Sequence, residues 1–121
     1  MLEIMSGLPD NVLGVKAVGE VEDDDYEDVL DPAIDDYLSR HDKIRFLYYL
    51  GPEFTGYEAD AMWEDTKLGF RTFTKYERLA VVTDTTWVKR CVKAFGWMMP
   101  GHVKIFDVAE LEAATRWTSE S

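Results

Sequence analysis

The sequence predicts an α/β domain built on a mixed five-stranded sheet with about four helices, in the order β-β-α-β-α-β-α-β-α. Three observations carry this expectation. Two nearly continuous apolar runs, "IRFLYYL" (Ile44–Leu50) and "RLAVVTD" (Arg78–Asp84), have the length and composition of strands covered on both faces, which are usually parallel. Segments of helical period lie between the strands, as right-handed crossovers require. A turn signal near the start joins two alternating segments, which adds one antiparallel hairpin strand at a sheet edge.

The elements follow in order. "LEIM" (Leu2–Met5) reads as a short strand, "SGLPDN" (Ser6–Asn11) as a turn, and "VLGVKAVGE" (Val12–Glu20) as the second hairpin strand. Leu13, Val15, Ala17 and Gly19 form its more uniformly apolar face, which is expected to point at the thicker layer of core. From Asp23 to His41 the period becomes helical: Tyr26, Val29, Leu30, Ala33, Ile34, Tyr37 and Leu38 make one broad stripe. Asp23, Asp24, Asp25 and Glu27 crowd the first turn, where the helix dipole favours them, and Arg40 and His41 close the other end. Pro32 lacks a backbone donor and crowds the carbonyl of Asp28, so a kink is expected there. "GPEFTGYEAD" (Gly51–Asp60) reads as a loop, and "AMWEDTKLGFRTF" (Ala61–Phe73) as a weakly periodic helix. Asp84 is expected to cap the helix "TTWVKRCVKAF". "VKIF" (Val103–Phe106) is the last strand, and Asp107 with Glu110 starts the helix "VAELEAATRW" with a capping-box pattern.

Composition narrows the classes of function. At 121 residues, 46% of them apolar and 13% aromatic, the chain is a single domain (1–121) able to bury one core, and not a disordered one. The start "MLEIMSGLPD" lacks the basic and apolar regions of a signal peptide, and no run approaches the length of a spanning helix. A lone cysteine, Cys91, suits a reducing cytoplasm. The net charge of −11 is uneven: residues 1–60 hold 16 acids against 4 bases, and residues 61–121 hold 8 against 9. Ten of those acids fall in Glu20–Asp36 with no base among them. Nucleic acid is therefore excluded as a general partner. The acidic run lacks the ligand spacing and glycine of a calcium loop and reads as a solvated helix face.

Several stretches resemble the SpoIIAA-like family, small bacterial proteins whose fold is shared with STAS domains and related to CRAL-TRIO lipid-transfer domains. The carrying residues are "LPDNVLGVKAVGEV", "DYEDVLDPAI", "IRFLYYLGPEFTGYEADAMWEDTKLG", "YERLAVVTDTTWVKRCVKAFGWMMPGHVKIF" and "AELEAATRW", nearly the whole chain. The resemblance implies a cytoplasmic, non-catalytic protein of regulatory or ligand-binding type. STAS-type anti-anti-sigma factors carry a phosphorylatable serine after the third strand, at a helix start. Here the segment "GPEFTGYEADAMW" has no serine; Thr55 lies in the loop, and Glu58, Asp60, Glu64 and Asp65 would repel a phosphate. The kinase switch does not carry over.

Two regions are candidate sites. The first is the carboxyl edge of the buried strand, where open α/β sheets hold ligands: Tyr49, Gly51 and Pro52, with Phe54, Tyr57 and Trp63 adding aromatic surface. The plainer reading of Phe54 and Tyr57 is a loop pinned to the surface. The second is "FGWMMP" and the helix before it. That helix places Trp87, Val88, Cys91, Val92 and Phe95 on a core-facing arc and Lys89, Arg90 and Lys93 on the opposite one. Trp97, Met98 and Met99 then read as core, as the wall of an apolar pocket, or as a peripheral membrane contact. Three basic groups at about 1 kcal/mol each make such contact reversible at most.

For catalysis the inventory is poor. His41 and His102 are the only histidines, His41 suits a helix end, and an inward Cys91 could not pair with His102. There is no phosphate loop, nucleophile elbow or metal-ligand spacing, so no cofactor or metal is expected. The expectation is a protein that binds a small apolar or lipid-like ligand, with contact to the inner face of the membrane left open. A protein-interaction or signalling module docking through the helix Asp23–Leu38 is the first alternative; an enzyme whose groups meet only in three dimensions is the second. A protein partner and self-association both stay open.

Overall fold

The apolar run Ile44–Leu50 forms strand β4, and it has a parallel neighbour on each side. The computed structural model describes residues 1–61, 67–68, 73–96 and 101–120. Strands β1 (Leu2–Ile4), β2 (Leu13–Ala17), β4, β6 (Tyr76–Thr83) and β7 (His102–Phe106) make a five-stranded sheet in the order β1-β2-β4-β6-β7. Only β1 runs antiparallel to its neighbour, so the mixed sheet with a hairpin strand at one edge is as the sequence predicts. Two further strands, β3 (Gly19–Val21) and β5 (Phe54–Tyr57), pair in parallel as a separate ribbon. The helices are α1 (Asp23–Asp25), α2 (Asp31–Leu38), α4 (Thr86–Phe95) and α5 (Leu111–Ser119), with helical residues also at 59–61 and 67–68, for which the number α3 is kept.

Alternation along the strands sends side chains to two cores. Leu13, Val15 and Ala17 of β2 and Phe46 and Leu50 of β4 meet Leu30, Ile34, Tyr37 and Val88 from the helices, the larger cluster. This is the face of β2 expected to meet the thicker layer. Val12, Leu47, Ala80, Val82 and Phe106 point the other way and are covered by Ala114 of α5, with Leu111 and Trp117 packed against them. Ile34, Ile44 and Leu47 are fully buried, each stabilising by about 2 kcal/mol relative to exposure.

The sheet also holds α5 by charge. Arg45 of β4 donates from Nη1 to the carbonyl of Thr118 at 2.9 Å and pairs through Nη2 with Glu77 at 2.5 Å. Arg78 of β6 donates to the Trp117 carbonyl and stacks its guanidinium over the Trp117 ring, 5.1 Å from the centroid. Both cations sit where the helix dipole is negative and the last carbonyls lack helical partners. At the other end of α5, Asp107 and Glu110 form the expected capping box, with the Asp107 N–H donating to Glu110 Oε1 at 2.9 Å.

Four expectations are corrected. The strand foreseen as Val12–Glu20 ends at Ala17; Gly19, at φ +63°, turns the chain out of the main sheet and into β3. Gly51–Asp60 is not all loop, because β5 lies within it. The disturbance expected at Pro32 takes the form of a π-helical stretch, Tyr26–Leu30, in which the Asp31 N–H reaches back to the Tyr26 carbonyl; Pro32 then falls in the first turn of α2. Asp84 does not cap α4. Thr85 holds that position, and the Asp84 carboxylate accepts from the Val108 N–H at 3.1 Å, tying the end of β6 to the start of the α5 segment.

The phase of α4 also differs. Val88 is buried and Val92 half-buried, but Cys91 is exposed and Trp87 is 43% exposed. Among the described side chains of the arc, the two valines meet the core and Trp87 and Cys91 do not. The expected helix Ala61–Phe73 is described only in part: Ala61 and Leu68 are buried and helical. No helix among the described residues is long and apolar enough to cross a membrane.

Gly101 brings the chain into β7 against the start of β6. A Cβ there would lie 2.3 Å from the Tyr76 carbonyl oxygen and 2.8 Å from that of Glu77, both backbone atoms that cannot swing aside. Gly101→Ala is therefore expected to lower stability by about 1–3 kcal/mol, read as a shifted midpoint in chemical denaturation. An unchanged midpoint would show that the β6–β7 approach is not tight.

Candidate binding site

The parallel strands β4 and β6 end side by side, with Leu50 and Thr83 in register, and the candidate site is built on that edge. The chain leaves β4 through Gly51, which is buried. A Cβ on Gly51 would come within 2.6 Å of the Tyr49 ring, so the absence of a side chain lets that ring fold back over the turn. Tyr49 packs with the α5 cluster, whereas Tyr48 points to the opposite face. Pro52 stands exposed in the turn.

After the turn, the ribbon holds β5 in place. The Gly19 N–H donates to the Glu53 carbonyl at 2.6 Å, Phe54 N–H to Gly51 at 3.1 Å, and Glu58 N–H to Val21 at 2.9 Å. Lys16 pairs with Glu53 at 2.7 Å. Phe54 and Tyr57 are thereby set against the core, both half-buried. The Tyr57 and Tyr48 hydroxyls are hydrogen-bonded to each other.

From β6, a short turn leads to Trp87 in the first turn of α4; Thr83 Oγ1 accepts from the Thr85 N–H at 3.1 Å and fixes its course. The Trp87 ring centre lies 6.2 Å from that of Phe54 and 6.0 Å from that of Tyr57, and Phe54 and Tyr57 are 5.4 Å apart. These spacings fall in the range of mutually attractive aromatic pairs. The result is a three-ring cluster, open to solvent on the Trp87 side.

Of the residues expected at this edge, Phe54 and Tyr57 come together, Gly51 and Pro52 shape the turn, and Tyr49 lies on the other face of the sheet. Trp63 falls outside the described residues. Trp87 and Tyr48 were missed. Helical phase assigns Trp87 to the core; its place four residues after the end of β6, at the same edge as Phe54, is the usable signal.

The second candidate region is separate, at the amino end of β7. Lys89 is tied to Asp107 at 2.9 Å, and Asp107 holds its ammonium pKa above the ordinary lysine value. Arg90 and Lys93 are exposed, whereas Trp97, Met98 and Met99 lie outside the described residues. His41 stacks on Tyr37 at 4.2 Å between ring centres. Cys91 being exposed, the inward orientation that set aside a Cys91–His102 pair does not hold; no hydrogen bond among the described residues joins the two. Thr55 is exposed on β5 and does not stand at a helix start.

For metals, the described residues offer one group: Glu20, Glu22 and Glu58 each bring a carboxylate oxygen within 4.8 Å of the others, on a water-exposed side of the ribbon. Partial shielding from water, followed by the charges of Glu22 and Glu20, raises the Glu58 carboxyl above its ordinary pKa.

A family model described as SpoIIAA-like matches residues 12–119. The chain belongs to the SpoIIAA-like family. A crystal structure of an uncharacterised protein from the DUF3478 family with a SpoIIAA-like fold, from Shewanella loihica PV-4, is similar at a TM-score of 0.76 and 26% identity, over 98% of this chain and 92% of that one. No curated protein matches the chain. The family assignment and the fold thus agree with the resemblance read from the sequence, and neither names a ligand.

A raised Glu58 value means the folded state keeps this proton to higher pH than the unfolded chain does. Ionisation of Glu58 therefore disfavours the fold above the raised value, and the penalty is released as pH falls toward the ordinary glutamate range. Glu58→Gln is expected to raise the melting temperature at neutral pH, with the gain vanishing in acid. A difference that stays constant with pH, or a lower melting temperature, would contradict this.

Proposed function

We propose that this SpoIIAA-like protein is a non-catalytic binding protein of the bacterial cytoplasm that takes a small apolar or amphipathic ligand on the Phe54–Tyr57–Trp87 cluster. The observation that carries the reading is Trp87: a large ring, 43% exposed, packed tilted and edge-on into an aromatic group at the carboxyl edge of parallel strands. Open α/β sheets place ligands at that edge, and ligand sites combine apolar walls with a few polar groups. The polar groups nearest the rings are the Tyr48 and Tyr57 hydroxyls, which are hydrogen-bonded to each other. Covering Trp87 and the open parts of Phe54 and Tyr57 gives an apolar ligand several kcal/mol of driving force, about 2 per side chain fully covered.

Membrane contact is the weaker part of the expectation. Of the three cations on α4, Lys89 is engaged by Asp107. Two remaining charges at about 1 kcal/mol each are a small attraction on a chain of net charge −11.

The test uses N-phenyl-1-naphthylamine, a neutral apolar fluorophore, titrated into the protein and into Trp87→Ala and Phe54→Ser variants. Each substitution is expected to weaken probe binding by about tenfold, the equivalent of losing one aromatic contact of about 1.4 kcal/mol. Trp87→Ala should leave the melting temperature within a few degrees, because much of the ring is already in water. Probe binding unaffected by either change would overturn the proposal.

A further inference from the structure

The main sheet ends at β7, which among the described residues is paired on one side only, with β6. A groove of about 780 Å³ runs along this strand. Its two walls differ in chemistry because alternate residues of β7 point to opposite faces. On one face stand His102 and Lys104, both exposed, with Arg78 beside His102 in the ladder and Trp117 beneath Arg78. On the other face stand Val103 and Ile105, half-buried, continued by Val92 of α4 with Lys93 at the rim. None of Lys93, His102 and Lys104 has an ion-pair partner among the described residues, on a chain whose net charge is −11.

An unpaired edge strand offers a row of backbone donors and acceptors to any extended chain. Lys104 on β7 and Lys93 at its rim would meet their own copies if two such edges paired, and the same charges attract an acidic strand. A strand added at this edge would set its own side chains alternately against the basic face and the apolar face. We propose that β7 is a docking edge for an extended acidic peptide, one that alternates Asp or Glu with Val, Ile or Leu and joins the sheet as an added strand. In this mode main-chain hydrogen bonds supply affinity and the alternating side chains supply choice. The two-sided lining is what favours a peptide over a lipid surface, which would meet one face only.

The test is fluorescence anisotropy of a labelled peptide alternating Glu with Val and Ile, titrated with the intact protein. Binding is expected at low ionic strength and weakens with added salt; the matching Lys–Val peptide stays free. Lys93→Glu and Lys104→Glu, both at exposed positions, are each expected to weaken binding by about tenfold while the circular dichroism melting curve stays in place. A peptide of the same sequence N-methylated at alternate amides keeps its charges but cannot pair as a strand, and it should not bind. Equal binding of the methylated peptide would overturn strand addition, as would no binding of the parent peptide. Two other results would also overturn it. One is capture of phosphatidylglycerol vesicles through Lys93 and Lys104 with the peptide ignored; the other is self-association of the free protein abolished by Lys104→Glu. Because Trp87 lies elsewhere, Trp87→Ala should leave peptide binding unchanged, which separates this inference from the ligand proposal.

Discussion

A parallel sheet survives in water only when both of its faces are covered, and the architecture of this protein follows from that requirement. β4 is the strand that meets it in full, with Phe46 and Leu50 on one side and Leu47 on the other, each at or near complete burial. Parallel neighbours need crossovers, and the crossovers supply helices for the larger core, while α5 closes the opposite face. The arginines of β4 and β6 then bind the last carbonyls of α5, so the covering helix is held by directional contacts as well as by apolar area.

The same requirement sorts chemistry toward the margins of the sheet. With both faces occupied, functional surface can arise only where strands end or where the sheet stops. The carboxyl ends of β4 and β6 gather Phe54, Tyr57 and Trp87; the free side of β7 gathers Lys93, His102 and Lys104. Between these margins the outer side of the π-helical stretch and α2 is acidic: Asp28, Asp35 and Asp36 are exposed there, and Asp36 pairs with Arg40 at 2.8 Å. Charge is thus segregated by element. The helical segment before β4 presents an acidic outer surface, and the far sheet edge presents Lys93 and Lys104, neither in an ion pair among the described residues.

The β3–β5 ribbon shows how a small deviation builds a margin. Gly19 turns the chain away from the main sheet, and three residues of β3 are enough to capture β5 and hold Phe54 and Tyr57 beside Trp87. Without that capture the segment after Gly51 would be the loop its composition suggests, and the aromatic cluster would have no fixed partner for Trp87.

What the sequence by itself determined is the main sheet, its mixed direction and its covering helices, and with them the family. Those features rest on periodicities only a few residues long, a continuous apolar run for β4 and a 3.6-residue stripe from Tyr26 to Leu38, and such patterns are local. The capping box at Asp107 and Glu110 was legible for the same reason. The tertiary structure alone decided the partners of residues far apart in the chain. The Gly19–Phe54 pairing leaves no local trace, and neither does the bond from Asp84 to Val108, which took away the cap expected for α4. The rotation of α4 about its axis was likewise out of reach. A periodic arc shows that Trp87, Val88, Cys91 and Val92 share one side, but only tertiary packing chose the valines for the core and left the indole partly in water.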